Sequence, residues 1–238
     1  MTSPMQRHMA KVREEQAKSQ AKEKLDQGTK QDALDSATDY PAFEAIKTSL
    51  DQDIKSLGSK TQGQERNEYR EKTLLPRYMP HLMAYKESGE EYANPVLVAV
   101  VMWLMDLGRI GEALEWAYLA IVQNQKMPGQ WNRNLATFVA DSVLKWAEKE
   151  YKAGHAVDPY FTNVFEKLVD WPVPDVVKMK YNKLAGKMAL KEKDFVSAEK
   201  FLLMADSLGD AAHPAKVSTD LEKAQKANEK AKAEEAKA

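Results

Sequence analysis

Few folds can hide the run Pro95-Val-Leu-Val-Ala-Val-Val-Met-Trp-Leu-Met105, the most apolar stretch of this chain, without building a core around it. It is shorter than the roughly 18 apolar residues that mark a membrane span. Asn94 and then Pro95 supply a cap residue and a first helical position that needs no N–H, so a helix starts here. Apolar nearly all round, this helix should be buried on every side. Asp106-Leu-Gly-Arg-Ile-Gly111 is a break of the kind that joins antiparallel helices, and Glu112-Ala-Leu-Glu-Trp-Ala-Tyr-Leu-Ala-Ile121 continues as a second one. Ala113, Ala117 and Ala120 share a stripe in it, where small side chains let two helices approach closely. Residues 94–125 therefore read as two helices folded back on each other, a core that by itself names no chemistry.

Around that hairpin, 238 residues are enough for one or two domains with a real core. Cysteine is absent, which removes disulfides and thiolate metal sites and fits a reducing compartment. The four histidines, His8, His81, His155 and His213, are far apart and none has a partner at helix spacing, so no structural metal is expected. The opening residues carry no apolar segment of a secretory leader, and no membrane partner is expected. A formal net charge of −1 means that any contact with nucleic acid would be local.

Residues 2–25 read as a helix, with Ser3 as cap, Pro4 at the first position and Gln6 completing a capping box. Its apolar stripe is thin, and residues 1–30 hold seven Lys/Arg against four Asp/Glu. Arg7, Lys11, Arg13, Lys18 and Lys22 form either a basic arm for DNA phosphates or a solvated terminus interrupted by Glu14, Glu15 and Glu23. Residues 26–39 read as a linker. A helix over residues 41–57 follows, stopped by Gly58, in which Phe43, Ile46, Leu50, Ile54 and Leu57 step like a two-heptad coiled-coil seam. With a charged helical piece over residues 65–73, it makes a helical hairpin whose seam closes on the returning segment or on another subunit. Arg66 and Arg70 join Lys72 and Arg77 in a second basic cluster, mixed with Glu65, Glu68 and Glu71. Such a cluster is either a DNA contact or an ordinary solvated helix face. The prolines of Leu74-Leu-Pro-Arg-Tyr-Met-Pro80 should kink or divide the next segment.

Beyond the central hairpin, Lys126-Met-Pro-Gly-Gln-Trp-Asn-Arg-Asn134 is a loop in which Trp131 either stacks on a base or closes a helix pair. Helices are expected over residues 134–152, 159–169, 175–191 and 194–208. The last repeats the alanine stripe of the hairpin, Ala198 on Ala113 and Ala205 on Ala120, as in the second half of a tetratricopeptide-type pair. Residues 94–209 thus read as three stacked helix pairs. From Pro214 the chain is rich in Lys, Glu and Ala, with nothing larger than alanine to bury past Leu221, so a transient helix or a disordered tail is expected. The organisation expected is a basic arm (1–30), a linker and oligomerising hairpin (31–73), a helical core (74–213) and a tail (214–238), all-α throughout.

Motifs of known chemistry are missing. There is no G-x-x-x-x-G-K-[ST], no H-E-x-x-H and no G-x-S-x-G. Asp141, Asp158, Asp170 and Asp175 are scattered singly, mostly at helix ends, where capping accounts for them. The residues leave an all-α interaction protein with no visible catalytic group, no metal site and no cofactor.

Several stretches, in order along nearly the whole chain, nonetheless form a pattern. They are Met1-Thr-Ser-Pro-Met-Gln-Arg-His-Met9, Leu74-Leu-Pro76 with Pro80, Met102-Trp-Leu104, Gly108-Arg-Ile-Gly-Glu-Ala-Leu-Glu115, Lys126-Met-Pro-Gly129, Ala153-Gly154 and Val157-Asp158. Pro174-Asp175, Lys183-Leu184, Gly186, Asp194 and Ala198 continue it. Together they resemble the small terminase subunit of temperate, contractile-tailed phages of the peduovirus type. The resemblance is weakest over residues 14–65 and in the tail. The family's tail is strongly basic, whereas residues 221–238 hold five Lys against four Glu.

The resemblance implies a role in phage DNA packaging in the host cytoplasm. It implies recognition of the cohesive-end region of double-stranded phage DNA, assembly into a homo-oligomeric ring, and recruitment of the large ATP-hydrolysing terminase subunit. The family is often labelled the terminase endonuclease subunit, although no nuclease constellation is legible here. The contrasting expectation is a tetratricopeptide-like adaptor that binds a peptide and no DNA.

Overall fold

The computed structural model describes residues 41–235 except residues 62 and 130. Its regular elements are α1 (Pro41–Ser59), α2 (Gln64–Tyr69), a π-helical turn (Arg70–Leu74), α3 (Leu75–Ser88), α4 (Pro95–Asp106) and α5 (Ile110–Val122), then α6 (Leu135–Ala153), α7 (Tyr160–Lys167), α8 (Asp175–Glu192), α9 (Phe195–Leu208) and α10 (Ser218–Glu235). The fold is all-α, with no strand among the described residues. None of the described helices is long and apolar enough to cross a membrane. The helix expected over residues 2–25 and the linker at 26–39 lie outside the described residues. Two compact units divide the rest, residues 41–100 with 122–126, and residues 101–121 with 127–235.

In the first unit, Phe43, Leu50 and Leu57 of α1 are buried. The stripe they define runs through Asp53, whereas Ile54 is 38 % exposed. From Gln64 to Ser88 the chain stays helical instead of dividing at its prolines. Leu75 N–H reaches back five residues to Arg70 O, and this π-type register shift falls one residue before Pro76, which has no N–H to offer. The predicted cap at Asn94 is present. Asn94 Oδ1 accepts from Leu97 N–H at 3.1 Å, and Asn94 N–H donates to Gln125 Oε1 at 2.7 Å. Gln125 Nε2 donates in turn to Tyr92 O, and Tyr85 Oη donates to Gln123 Oε1. These bonds tie the start of α4 to the segment that follows α5.

In the second unit, Gly108 takes the left-handed conformation (φ 72°) at the turn into α5, and Ala113, Ala117 and Ala120 are fully buried as their stripe predicts. Asn134 caps α6 through Thr137 N–H, and Gly154 ends it in the left-handed conformation. Tyr181 of α8, fully buried, stacks on Phe161 of α7 with ring centroids 5.0 Å apart and donates to Ala140 O of α6. Helices α8 and α9 pack so closely at Gly186 that a Cβ there would lie 2.6 Å from Leu202 Cγ. The Lys/Glu/Ala-rich stretch, expected to be a transient helix or a disordered tail, instead forms α10. Val217 and Ala224 are buried with Leu202 and Ala205 of α9, and Leu221 packs against the same cluster. Asn228 donates to Phe195 O at 3.0 Å and to Glu199 Oε2 at 2.7 Å. Alanine and asparagine suffice because small side chains let the helix axes come close.

Candidate nucleic-acid interface

Of the basic side chains singled out for DNA, Arg7, Lys11, Arg13, Lys18 and Lys22 lie outside the described residues. Arg66 and Arg70 lie within them, on the return limb of the hairpin. The Arg66 guanidinium donates to Lys60 O at 3.2 Å and to Gly58 O at 3.1 Å, so it satisfies carbonyls that the end of α1 leaves open. Arg70 donates to Asn67 Oδ1 at 2.8 Å. Lys72 pairs with Glu68 at 3.3 Å. A hydrogen bond from Gln64 and the pairing with Lys72 hold the Glu68 carboxyl below the usual carboxylate range. Lys60 sits 4.5 Å from the Tyr69 ring centroid and 3.8 Å from Glu65. Much of the positive charge at this turn is thus met by its own neighbours. An arginine still has five donors, and Arg66 commits two of them here.

The residues read as an oligomerisation seam divide by face. Phe43 packs edge-on against Tyr92, with centroids 4.9 Å apart, and Leu50 and Leu57 are buried within the chain. Ile46 is half-buried beside a cleft of about 380 Å³ that Phe43, Tyr85 and Tyr92 also line, and Ile54 faces outward. Asp53 takes the inward place that hydropathy alone gives to Ile54. Only 6 % exposed, its carboxylate accepts from Tyr69 Oη at 3.1 Å, Tyr78 Oη at 2.8 Å and an Arg77 guanidinium nitrogen at 2.6 Å. Those three donors arrive from the returning helices, so the carboxylate ties α1 to α2 and α3. Burial, followed by the Asp53 carboxylate, raises the pKa values of Tyr69 and Tyr78 above the ordinary tyrosine value.

In the loop after α5, the Trp131 ring meets Phe138 of α6 edge-on at 5.6 Å, and the Arg133 guanidinium lies 5.9 Å from the indole. Arg133 also pairs with Asp141 at 2.6 Å. Trp131 is half-buried against α6 through this contact with Phe138.

Sequence patterning did not single out a further basic cluster. Lys152 of α6 and Lys180, Lys183 and Lys187 of α8 line a cavity of about 440 Å³ floored by Met179, Leu184 and Ala215. Glu148 is the one carboxylate on its lining. Tyr151 Oη donates to Lys187 O at 3.1 Å, and Lys183 Nζ donates to Ala215 O at 2.7 Å, which fastens the walls. Burial first, then the neighbouring Lys187, lowers the Lys183 pKa below the ordinary lysine value. Steps of three and four along α8 put these lysines on one face, a signal that was present in the sequence. The partner wall, Lys152, was not legible, because it depends on how α6 packs on α8.

Among the described residues, no group of three or more His, Asp or Glu side chains is placed to hold a metal ion. His155 is bonded to Glu150 at 2.6 Å, and His213 lies 3.4 Å from Asp210.

Comparison with known proteins adds to this geometry. The sequence model of a family described as the phage small terminase subunit matches residues 47–176. A probable terminase endonuclease subunit of Haemophilus phage HP1 is 32 % identical over 164 residues, 68 % of this chain and 58 % of that protein. The terminase endonuclease subunit of Escherichia phage P2 is 30 % identical over 188 residues, 78 % of this chain and 70 % of that protein. The chain thus spans less than two thirds of the length of the HP1 relative. No solved structure matches it significantly.

Proposed function

The chain belongs to the phage small terminase subunit family, whose members serve phage DNA packaging, and on that premise we propose that it grips the phage genome and presents it to a separate large subunit. In this reading it binds double-stranded DNA at the cohesive-end region, assembles as a homo-oligomer in the host cytoplasm, and leaves ATP hydrolysis to the large terminase subunit. The family match over residues 47–176 carries the reading, since it takes in most of the α1 hairpin and every helix from α2 through α7. Two chemical features support it. Residues 1–30 carry an excess of positive charge, and the outward face of α1 keeps Ile54 available to a second copy.

Native mass spectrometry of the chain, with and without a duplex spanning the packaging site, reports subunit number and DNA capture together. The expected result is a multimer that retains the duplex. Reversing Arg7, Lys11 and Arg13 to Glu should weaken capture and flatten its dependence on salt, because fewer counterions are released. Ile54→Glu should lower the subunit number. Leu50→Glu would be a poor substitute, because Leu50 is 2 % exposed and its loss would unfold the hairpin itself. A monomer that captures no duplex at low salt would overturn the reading. The relatives' names include an endonuclease, so cutting of the duplex with magnesium present is scored in the same samples. Cleavage by the purified chain would assign that activity to it.

A further inference from the structure

We propose that the lysine-lined groove between α6 and α8 is a second DNA contact, which receives the phosphates of one strand of a duplex along Lys180, Lys183 and Lys187 with Lys152 on the facing wall. The inference rests on the packaging reading and adds a surface to it that neither the amino-terminal arm nor the hairpin supplies.

Three observations lead to a polyanion. The first is charge. Four lysines and one carboxylate, Glu148, line the groove, with Asp220 and Glu192 close enough to act on Lys183 and Tyr151; the lining keeps an excess of positive charge, which favours a bound anion. Burial is the first cause of the lowered Lys183 pKa; Lys187 and Lys216 add to it, and Asp220 and Glu148 oppose it. The second is the construction of the walls. Met179, Leu184 and Ala215 form an apolar floor along which lysine stems can lie. Lys183 secures the third wall through Ala215 O. Next to it, Lys216 holds a left-handed backbone (φ 54°) between buried Ala215 and Val217, and its side chain is exposed. Such a conformation costs a residue with a Cβ, and sites that bind are where it is commonly retained.

The third observation selects a backbone over a compact anion. The row does not stop at the cavity. Lys191 continues it along the same face of α8, where its ammonium group lies 5.2 Å from the Tyr151 ring centroid. From Lys180 to Lys191 the helix rises about 16 Å, at about 1.5 Å per residue. One DNA strand carries a phosphate about every 3.4 Å of duplex axis and winds as it rises, so a straight row of this length meets more than one phosphate but not every one it passes. On α6, Lys145 and Lys149 are exposed and share the face of Lys152 by their spacing of four and three. A lysine row that runs on past its cavity fits a charged polymer better than a single small ion.

The test is a salt titration of binding to duplex DNA of mixed sequence. The triple variant K152Q/K180Q/K187Q removes three exposed or half-exposed ammonium groups and leaves Lys183 to hold Ala215. Its plot of log affinity against log salt should be shallower by about 0.9 for each phosphate no longer neutralised, up to about 2.7 in all. The triple variant K167Q/K200Q/K223Q, with the same change of net charge at exposed positions elsewhere, should keep the slope of the unaltered chain. If the triple groove variant melts at a lower temperature, K180Q/K187Q takes its place, with a slope shallower by up to about 1.8. An unchanged slope in a folded groove variant would overturn the groove while leaving the packaging reading standing. An unaltered chain that binds no duplex at all would overturn both. Polyglutamate that binds the unaltered chain and not the groove variant, with duplex affinity the same in both, would assign the groove to an acidic peptide and overturn the proposal as well.

Discussion

Asp53 occupies a place that a hydrophobic seam would give to leucine or isoleucine, and three donors explain why it can. A carboxylate has two oxygens with about four acceptor sites, and here Tyr69, Tyr78 and Arg77 fill three of them. The sequence pattern of Phe43, Ile46, Leu50, Ile54 and Leu57 put the apolar stripe one residue away, because hydropathy cannot anticipate partners 16 to 25 residues further along. Asp53→Ala should cost about 1–3 kcal/mol, chiefly because it removes the buried hydrogen bond that the Tyr78 hydroxyl donates to this carboxylate. Arg77, half exposed, can turn to water and adds less. Asp53→Asn keeps one oxygen as acceptor and should lose a smaller amount. Urea unfolding reads both, as a lower midpoint at unchanged slope. A midpoint equal to that of the unaltered chain in Asp53→Ala would show that the hairpin stands without this carboxylate.

At the scale of elements, legibility depended on whether the decisive contact lay within one helix or between two. Asn94 as a cap, the Ala113/Ala117/Ala120 stripe and the ends of α6 could be read directly, since capping and spacing are local. Helix α10 could not be placed by the same means, because its composition is that of a solvated or disordered segment. Its docking stripe, Val217, Leu221, Ala224 and Asn228, steps by four, three and four, yet three of the four side chains are small or β-branched or polar. The same limit hid the lysine groove, whose α8 row was periodic in sequence but whose opposite wall comes from α6. Asn228 gives the docking a direct test. Asn228→Ala removes the donor to Phe195 O and Glu199, at a cost of about 1–3 kcal/mol, while α10 loses no helix propensity. Hydrogen exchange should then show the amides of α10 losing protection, with those of α8 and α9 retaining theirs. Equal protection in the variant would mean that the Val217, Leu221 and Ala224 side chains hold the helix unaided.

Over the whole molecule, neither unit relies on metal clusters or disulfides among the described residues, and both bury tyrosines whose hydroxyls are bonded or shielded. Burial is the leading cause that raises the pKa values of Tyr69, Tyr78, Tyr85 and Tyr92 in the first unit and of Tyr118, Tyr151 and Tyr181 in the second. The consequence for stability has a definite sign. In the unfolded chain each tyrosine ionises near pH ~10, whereas in the folded chain these hydroxyls keep their protons to higher pH. Above that point the unfolded state binds fewer protons than the native one, so stability falls as pH rises. Below it the contribution is present in full and independent of pH. Each tyrosine that is ionised when unfolded and neutral when folded adds about 1.4 kcal/mol of lost stability per pH unit. Several acting together should make the chain unfold cooperatively on the alkaline side. Parallel measurements of tyrosinate absorbance and helical circular dichroism check this. The absorbance of the native chain should lag behind that of the urea-unfolded chain and then rise together with the loss of helix. If the tyrosinate absorbance rose in full near pH ~10 while the helix signal stayed constant, the Tyr78 and Tyr181 hydroxyls would be reaching water within the folded units, and burial would not be raising their pKa values.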